Sequence, residues 1–376
     1  MQSLDLEDLP FVGAVEVERN TLGVVLHRLP AWARAQSNDP MLGFIEAIPA
    51  GVRLRMRTDA THMELDVALT LIQLGEREPF AASFDVLIDG TLSRTTSTTE
   101  GTRLLLSPGG GLDIVPGSPT TIAFELPGEP SAVVEVWLPH AAGFVLLDAR
   151  FSDGASVSPV VSDKRRWTHY GSSISHCLEA LSPARTWPAI VARAADLQLQ
   201  NLGLAGQCQL DPFMARTIRD LPADLISLKV GINVINGDTF RERTFVPGLH
   251  GFLDTVREGH PNVPLLVITP IVFPAAETAP GPSVMDTGGT SFVVVPRPEE
   301  LALGALTMTR VRELITDVVT ARQADDKDLH LLSGLSLFGA EDAASLPDGL
   351  HPSAAGYSTM ATRFLELVFR GRGAFA

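Results

Sequence analysis

Three serines and two histidines lie close together in the stretch WTHYGSSISH, residues 167–176. A serine hydroxyl is a weak nucleophile at neutral pH, and it reacts only when a neighbouring base, commonly a histidine, is held in place by a third group. Taken alone, Ser173 fits a polar cap at a strand-to-helix turn, which is a common role of serine. A catalytic role for Ser173 therefore depends on whether the rest of the chain supplies the missing partners.

A base and an acid occur together in LPDGLHPSAAGY, residues 346–357. Asp348 and His351 are three residues apart, a spacing that lets both side chains point the same way from one turn. Asp348 can then accept a hydrogen bond from Nδ1 of the imidazole while Nε2 faces elsewhere. Pro352 suits the first position of a final helix, predicted over residues 352–370, so we expect His351 at a rigid helix entrance.

Acyl transfer also needs hydrogen-bond donors aimed at the developing oxyanion. Gly206 in NLGLAGQ and Asn233 in KVGINVIN each follow a predicted strand. A glycine lets its backbone N–H approach a ligand closely, and an asparagine amide adds a side-chain donor. Ser, Gly, Asn and His thus occur in that order along the chain, each at the end of a β-prone run or in the closing loop.

These four residues lie in a half of the chain where short apolar runs alternate with longer amphipathic ones. This alternation predicts an open parallel sheet with helices on both faces, and ligands of such sheets bind beyond the carboxyl ends of the strands. The predicted strands are residues 165–171, 197–204, 224–231, 264–272 and 329–334, and the predicted helices are residues 182–197, 245–260, 298–323 and 352–370.

The preceding half, from Gly13 to about Arg150, has apolar residues that alternate with polar ones. In GVRLRMR, residues 51–57, valine, leucine and methionine are expected on one face and three arginines on the other. Asp89-Gly90 marks a hairpin turn. We therefore expect an antiparallel β-sandwich over residues 1–157 and an α/β domain over residues 158–376.

The order of these motifs resembles the SGNH or GDSL family of acyl hydrolases. Gly171-Ser172-Ser173 is similar to the first motif of the family, Gly206 to its second-motif glycine, Gly231-Ile232-Asn233 to its Gly-x-Asn, and Asp348 to His351 to its Asp-x-x-His. Two positions depart from the family: Ser172 replaces the aspartate of the first motif, and Val234 replaces the aspartate that commonly follows the asparagine. Both departures remove an acidic hydrogen-bonding partner near the site.

A narrower resemblance covers nearly the whole chain. Stretches such as HRLPAWARAQ, DLISLKVGIN and HGFLDTVREGHPNVPLLVITPI are similar to a bacterial subgroup that pairs a β-sandwich with the SGNH domain and includes a salicylyl-transferring enzyme of a tetracycline-type pathway. The resemblance implies a flavodoxin-like parallel sheet, the SGNH hydrolase fold, preceded by a jelly-roll-like antiparallel β-sandwich. It also implies that the acyl group can pass to a hydroxyl other than water.

The implied activity is serine-dependent acyl transfer. Ser173 would attack an ester or thioester, His351 would remove its proton, and Asp348 would orient His351. The backbone N–H groups of Ser173 and Gly206 and the amide of Asn233 would form the oxyanion hole. The donor is a small-molecule ester or thioester, acyl-coenzyme A included, and the acceptor is water or a small-molecule hydroxyl; no metal or organic cofactor is required.

Other functions fit the sequence less well. The chain has no G-x-S-x-G motif of an α/β-hydrolase and no Gly-Lys-Ser/Thr ending of a phosphate-binding loop. A remaining alternative is a carbohydrate-binding or docking protein in which the sandwich does the work and the SGNH domain is inactive. An active-site serine probe distinguishes these two hypotheses.

Composition restricts the partners and the location. The formal net charge of −15 disfavours nucleic acid and anionic lipid surfaces. Two cysteines are too few for a disulfide framework or a zinc site, and the first residues lack the pattern of a secretory signal. No apolar run is long enough for a membrane helix. We therefore expect a cytoplasmic protein with free thiols.

Several residues near the motifs have simpler expected roles. We expect His169 to be packed in the core and His176 to lie on a helix surface, with lining of the pocket as its alternative. Ser172 and Ser175 are expected at a turn and a cap, and Cys177 and Cys208 as buried thiols. Residues 273–300 are long for a loop without structure and predict a lid or rim over the pocket. Arg241 and Arg243 fit a solvated turn, with an anion contact as the alternative.

Overall fold

The computed structural model describes residues 1–107 and 111–376, which form two compact units. The first unit contains residues 1–163 together with 180–185, and the second contains residues 164–179 together with 186–376. The domain limits 1–157 and 158–376 stay a prediction. No helix in the described part of the chain is both long and apolar enough to cross a membrane.

The first unit is built mainly of strands. Two short helices, α1 (Ala31–Arg34) and α2 (Pro40–Glu46), lie between the first strands. The strands are β1 (Gln2–Ser3), β2 (Phe11–Val12), β3 (Glu16–Asn20), β4 (Gly23–His27), β5 (Arg53–Thr58), β6 (His62–Leu74), β7 (Ala82–Ile88), β8 (Thr91–Thr98), β9 (Thr102–Leu106), β10 (Leu112–Val115), β11 (Thr120–Glu125), β12 (Val133–Trp137), β13 (Ala142–Phe151) and β14 (Val157–Pro159).

These strands form two sheets, as a β-sandwich requires. The first sheet has the order β10-β9-β6-β13-β4-β3, with β1 beside β13 and β11 beside β6. The second has the order β14-β5-β12-β7-β8, with β2 beside β5. The pairs are antiparallel as predicted, except that β6 and β9 run parallel. At the tip of the β7–β8 hairpin, Asp89 and Gly90 have φ values of 48° and 76°, which confirms the predicted turn.

One detail of the predicted alternation in β5 is wrong. Leu54 and Met56 are fully buried as expected, but Arg53 and Arg55 on the opposite face are buried as well. Nε of Arg55 lies 3.3 Å from a carboxylate oxygen of Glu135 on the neighbouring strand β12. Arginine can be buried on this face because the next strand supplies a charge partner.

The second unit, all of which lies in the described part of the chain, contains a five-stranded parallel sheet, a two-stranded hairpin and eight α-helices. Its strands are β15 (Arg166–Gly171), β16 (Gln198–Gly203), β17 (Leu225–Lys229), β18 (Leu265–Ile268), β19 (Ser283–Met285), β20 (Phe292–Val294) and β21 (Leu329–Leu332). Its helices are α3 (Ser173–His176), α4 (Trp187–Ala194), α5 (Pro212–Asp220), α6 (Ile232–Asn236), α7 (Glu242–Gly259), α8 (Met308–Arg322), α9 (Gly334–Leu337) and α10 (Ala354–Phe369).

The sheet order is β16-β15-β17-β18-β21. Numbered within the sheet, this order is 2-1-3-4-5, the flavodoxin-like arrangement that the family resemblance implies. The three inner strands β15, β17 and β18 are buried almost throughout, and the edge strands β16 and β21 are buried in part, which is typical of a parallel sheet covered by helices. The strand order brings the ends of β15, β16 and β17, which precede Ser173, Gly206 and Asn233, side by side.

The elements of the second unit differ from the predicted ones in several places. The predicted helix 298–323 is a 3₁₀ helix, Pro298–Leu303, followed by α8, because Gly304 has φ +79° and Thr307 caps the new helix by accepting the N–H of Arg310. The final helix begins at Ala354 with Ser353 as its N-cap, so Pro352 lies before the helix and not at its first position. Helix α5 was not predicted, and β19 and β20 pair as a small antiparallel hairpin within the long connection.

Candidate active site

Ser173 lies at the turn between strand β15 and helix α3. The strand ends at Gly171, and Ser172 lies at the turn as predicted, where its hydroxyl also caps the helix by accepting the N–H of Ile174 at 3.3 Å. Ser173 is the first residue of the helix. The helix then ends at Cys177, which has a left-handed φ of 65°.

Glycine at the end of the neighbouring strand allows this short helix to lie close to the sheet. A Cβ atom on Gly203, the last residue of β16, would lie 2.5 Å from the backbone carbonyl carbon of Ser175. No real Cβ contact is that short, so a larger residue at position 203 would push α3 away. The position of Ser173 therefore depends on a glycine that is remote in sequence.

His351 is in contact with Ser173. Its Nε2 atom lies 2.8 Å from Oγ of Ser173, and its Nδ1 atom lies 2.7 Å from Oδ2 of Asp348. The other oxygen of Asp348 accepts the backbone N–H groups of Leu350, at 2.9 Å, and of His351, at 2.7 Å. The three-residue spacing thus lets one turn hold both the carboxylate and the imidazole that it contacts.

Electrostatics favour the charged form of Asp348. Burial by itself raises the pKa of this carboxyl, but hydrogen bonding and charge interaction with His351, together with the two backbone N–H groups, outweigh burial and lower the pKa below its ordinary value. Asp348 is therefore an ionised acceptor at neutral pH. Such an acceptor holds the Nδ1 proton of His351, which leaves Nε2 as the basic nitrogen towards Ser173.

Gly206 lies in the loop after β16 and Asn233 in the first turn of α6, and a hydrogen bond ties these two segments together. Gly206 has φ +74° in the loop after β16, and Gly231, with φ +111°, starts the turn into α6. The Asn233 side-chain oxygen accepts the N–H of Cys208 at 3.0 Å. Because this bond uses the amide oxygen, the donor atom Nδ2 lies on the other side of the amide.

His169 and Ser175 form a buried pair beneath the nucleophile turn. Nδ1 of His169 lies 2.7 Å from Oγ of Ser227, and Nε2 lies 2.8 Å from Oγ of Ser175. Burial, together with the charge of Lys229, lowers the pKa of His169 to about 3, so the ring is neutral. The prediction of a packed core histidine is confirmed, whereas Ser175 bonds a core side chain and is not a cap.

His176 is fully buried, so its predicted place on a helix surface is wrong. Its Nδ1 atom accepts the N–H of Ala205 at 3.4 Å. The physical reason is the length of α3: all four of its residues are buried, and the helix has no solvent face.

Cys177 and Cys208 are buried free thiols, as predicted. Burial raises the pKa of the Cys208 thiol to about 12 and that of Cys177 well above its ordinary value, so both are protonated at neutral pH. Arg241 pairs with Asp238 and, at 2.9 Å, with Glu300, which gives its guanidinium partners from the protein itself. Arg243 is exposed but lies in the first turn of α7, so the predicted solvated turn is wrong for this residue.

The long connection over residues 273–300 touches the histidine. Phe292, in β20, donates its N–H to the carbonyl oxygen of Asp348 at 2.8 Å. Its ring meets the His351 ring edge-on, with 5.3 Å between centroids and an interplanar angle of 78°. The connection thus forms an apolar wall beside the imidazole, in agreement with a rim rather than an unstructured loop.

Sequence reasoning missed Glu179, which faces the same histidine. A carboxylate oxygen of Glu179 lies 3.6 Å from Nδ1 of His351, and the other accepts the hydroxyl of Tyr357 at 2.8 Å. Within the described residues, Glu179, Asp348 and His351 bring metal-ligating atoms within 4.8 Å of one another. A metal there would compete with the Nδ1 proton that Asp348 accepts, so we interpret the cluster as hydrogen-bonded. No sequence spacing signals the contact of Glu179.

Comparison with known proteins identifies the family of the chain. The GDSL-like Lipase/Acylhydrolase family matches residues 169–358, half of the chain. The chain belongs to this family. As a GDSL-like lipase/acylhydrolase family member it is an enzyme of the SGNH class, related to hydrolases and acyltransferases. No curated protein matches the sequence.

Solved structures extend the likeness of this family member to both halves of the chain. The salicylyl-acyltransferase SsfX3 from a tetracycline biosynthetic pathway is 29% identical, with a TM-score of 0.80 over 97% of this chain and 96% of its own. A GDSL-like lipase from Bacteroides ovatus is 18% identical, with a TM-score of 0.66 over the same shares. A family two carbohydrate esterase from Clostridium thermocellum is 14% identical, with a TM-score of 0.58 over 95% and 97%. The last two show the fold alone.

Proposed function

We propose that this protein is a serine acyl-transfer enzyme that cleaves a small-molecule ester or thioester through an acyl-enzyme on Ser173. The observation that carries the proposal is the chain of two short contacts, 2.8 Å from Oγ of Ser173 to Nε2 of His351 and 2.7 Å from Nδ1 of His351 to Asp348. A nucleophile, a base and an orienting acid in this order are what activation of a serine requires.

In the proposed reaction, Oγ of Ser173 attacks the carbonyl carbon while Nε2 of His351 takes the hydroxyl proton. The ionised Asp348 stabilises the imidazolium that forms. The negative charge on the carbonyl oxygen is received by the N–H groups of Ser173 and Gly206 and by Nδ2 of Asn233. His351 then returns the proton to the leaving group, and the acyl group stays on Ser173 as an ester.

Water or a small-molecule hydroxyl then takes the acyl group from Ser173. Transfer to a hydroxyl is supported by the likeness to the salicylyl-acyltransferase over nearly the whole chain, and by the apolar ring of Phe292 beside His351, which hinders water at the base. The acyl donor is an ester or a thioester, acyl-coenzyme A included, and the step needs no cofactor because the side chains supply the nucleophile, the base and the oxyanion donors.

The test is covalent labelling with a fluorophosphonate, followed by intact-mass measurement and peptide mapping. We expect one adduct, on Ser173, that is lost in Ser173→Ala and kept in Ser175→Ala, whose hydroxyl bonds His169 instead. A folded protein without an adduct would refute the proposal and favour a carbohydrate-binding or docking protein with an inactive SGNH domain.

A second assay separates hydrolysis from transfer. The protein is incubated with a chromogenic ester, with and without candidate alcohols, and the acyl products are quantified. A transferase diverts the acyl group from free acid to new ester when the alcohol is present. A hydrolase releases free acid in both cases.

A further inference from the structure

Glu179 is a carboxylate beside His351 to which the proposed mechanism gives no role. It lies in the loop after α3, three residues beyond the end of that helix, because the left-handed turn at Cys177 redirects the chain. One of its oxygens is 3.6 Å from Nδ1 of His351, and its side chain is 18% exposed. The imidazole thus faces two carboxylates on its Nδ1 side and Ser173 on its Nε2 side.

Tyr357 fixes the position of Glu179. It lies in the first turn of α10, is fully buried, and donates its hydroxyl to Glu179 at 2.8 Å. Burial raises the pKa of Tyr357 well above its ordinary value, so the hydroxyl keeps its proton and remains a donor.

The contact of Glu179 with the ring is electrostatic. The Nδ1 proton points to Asp348 at 2.7 Å, and 3.6 Å is too long for a second hydrogen bond from the same nitrogen. A carboxylate within about 4–6 Å of an imidazole nevertheless favours the protonated, charged ring. Glu179 therefore acts on the charge of His351 while Asp348 determines the orientation of the ring.

We propose that Glu179 is a second acidic positioning residue for His351, which stabilises the imidazolium formed when Ser173 gives up its proton. The inference rests on the proposed acyl-transfer function. The proton moves from Oγ of Ser173 to Nε2 of His351, the Nδ1 proton stays on the ring, and Glu179 neither gains nor loses a proton.

The other groups around Glu179 and His351 keep their charge over the pH range of the experiment, so a pH profile reports the effect of Glu179 on the ring. Cys177 and Tyr357, which interact with Glu179, remain neutral because burial raises the pKa of both, and the long connection over residues 273–300 contributes the uncharged ring of Phe292. Asp348 is ionised throughout, since its pKa is lowered. Above pH 6, therefore, the group expected to change charge is His351 itself.

The experiment measures kcat/KM for a chromogenic ester between pH 5 and pH 9 in the wild type and in Glu179→Gln. Loss of the carboxylate lowers the pKa of the ring, so we expect the acid limb to move down by about one pH unit. The plateau should fall by about three- to tenfold, because the imidazolium is less stabilised in the transition state. An unmoved limb in an active, folded Glu179→Gln protein would overturn the proposal.

Tyr357→Phe is the matched control, since it removes the hydrogen bond to Glu179 but keeps the carboxylate. If Glu179 only held the loop in place, both variants would lose activity alike without a shift of the limb, and the proposal would be wrong. A shift in Glu179→Gln that exceeds the shift in Tyr357→Phe supports it. An NMR titration of the His351 ring gives the same comparison without turnover.

Glu179→Asp keeps the test decisive if Glu179→Gln does not fold. The shorter side chain moves the carboxylate away from Nδ1, so we expect the acid limb of the pH profile to lie between that of the wild type and that of a site without this charge. An acid limb identical to that of the wild type would overturn the proposal. Failure of the proposed function itself looks different, because the wild type would then neither turn over the ester nor take a label on Ser173.

Discussion

Lys229 is a buried cation at the end of the central strand β17, and its removal should stabilise the protein at neutral pH. The side chain is 1% exposed, and its Nζ atom has no hydrogen-bond partner among the described residues. Burial lowers the pKa of Lys229 to about 8 from its ordinary value of 10.5. The folded protein therefore bears a cost whenever this lysine is charged.

The size of that cost follows from the two pKa values. At about 1.4 kcal/mol for each pKa unit, the difference between 10.5 and about 8 corresponds to about 3 kcal/mol. The folded-state pKa lies below the unfolded one, so the unfolded chain binds more protons between pH 8 and pH 10.5, and stability rises with pH in that window. The cost is fully present below pH 8 and is relieved as the pH approaches 10.5.

Urea unfolding of the wild type and of Lys229→Met at pH 7 and pH 9.5 tests this reasoning. We expect the free energy of unfolding of the variant to exceed that of the wild type by on the order of 3 kcal/mol at pH 7 and by about 1 kcal/mol at pH 9.5. Lys327→Met, at an exposed position, should show no such change with pH. If Lys229→Met differs from the wild type in unfolding free energy by the same amount at both pH values, the assignment of a lowered pKa is refuted.

Three further predictions concern the site. Asp348→Asn replaces the ionised acceptor of His351, and we expect kcat for a chromogenic ester to fall about 10⁴-fold while circular dichroism stays unchanged. Phe292→Ala removes a ring contact worth about 1 kcal/mol and should lower kcat about fivefold, with a larger share of free acid when an alcohol competes. Gly203→Ala should cost about 1–3 kcal/mol of unfolding free energy, because its Cβ would press on the backbone of Ser175. Gly206→Ala is the control, because its Cβ would meet no atom within 4 Å and the variant should lose only about 1 kcal/mol for its positive φ. Equal losses of unfolding free energy for the two variants, measured in urea, would contradict the proposed clash at Gly203.

Much of the second unit could be predicted from the pattern of residues. The strands of the five-stranded sheet were located to within a few residues because each is a short β-prone run bounded by Gly, Pro or polar residues. The helices were less exact at their ends. A left-handed glycine, Gly304, ends one helix early, and the last helix begins at Ala354 instead of Pro352.

The local sequence pattern did not predict which charged and polar side chains are buried. Alternation puts Arg53 and Arg55 on a polar face, yet they are buried because Glu135 lies opposite them on β12. The helical surface predicted for His176 is missing because α3 is packed on the end of β16. In both cases the deciding neighbour is remote in the sequence.

The amino-acid sequence by itself determined the turn chemistry of this protein: Ser172 and Ser173 at a strand end, the left-handed glycines, and an aspartate three residues before a histidine. These features depend on backbone conformation within a few residues, so composition and spacing suffice to predict them. Only the tertiary structure decided that Glu179 and Phe292 meet the same imidazole. Their contacts with His351 join segments more than fifty residues apart along the chain, and such contacts depend on how whole strands and helices pack rather than on any local preference.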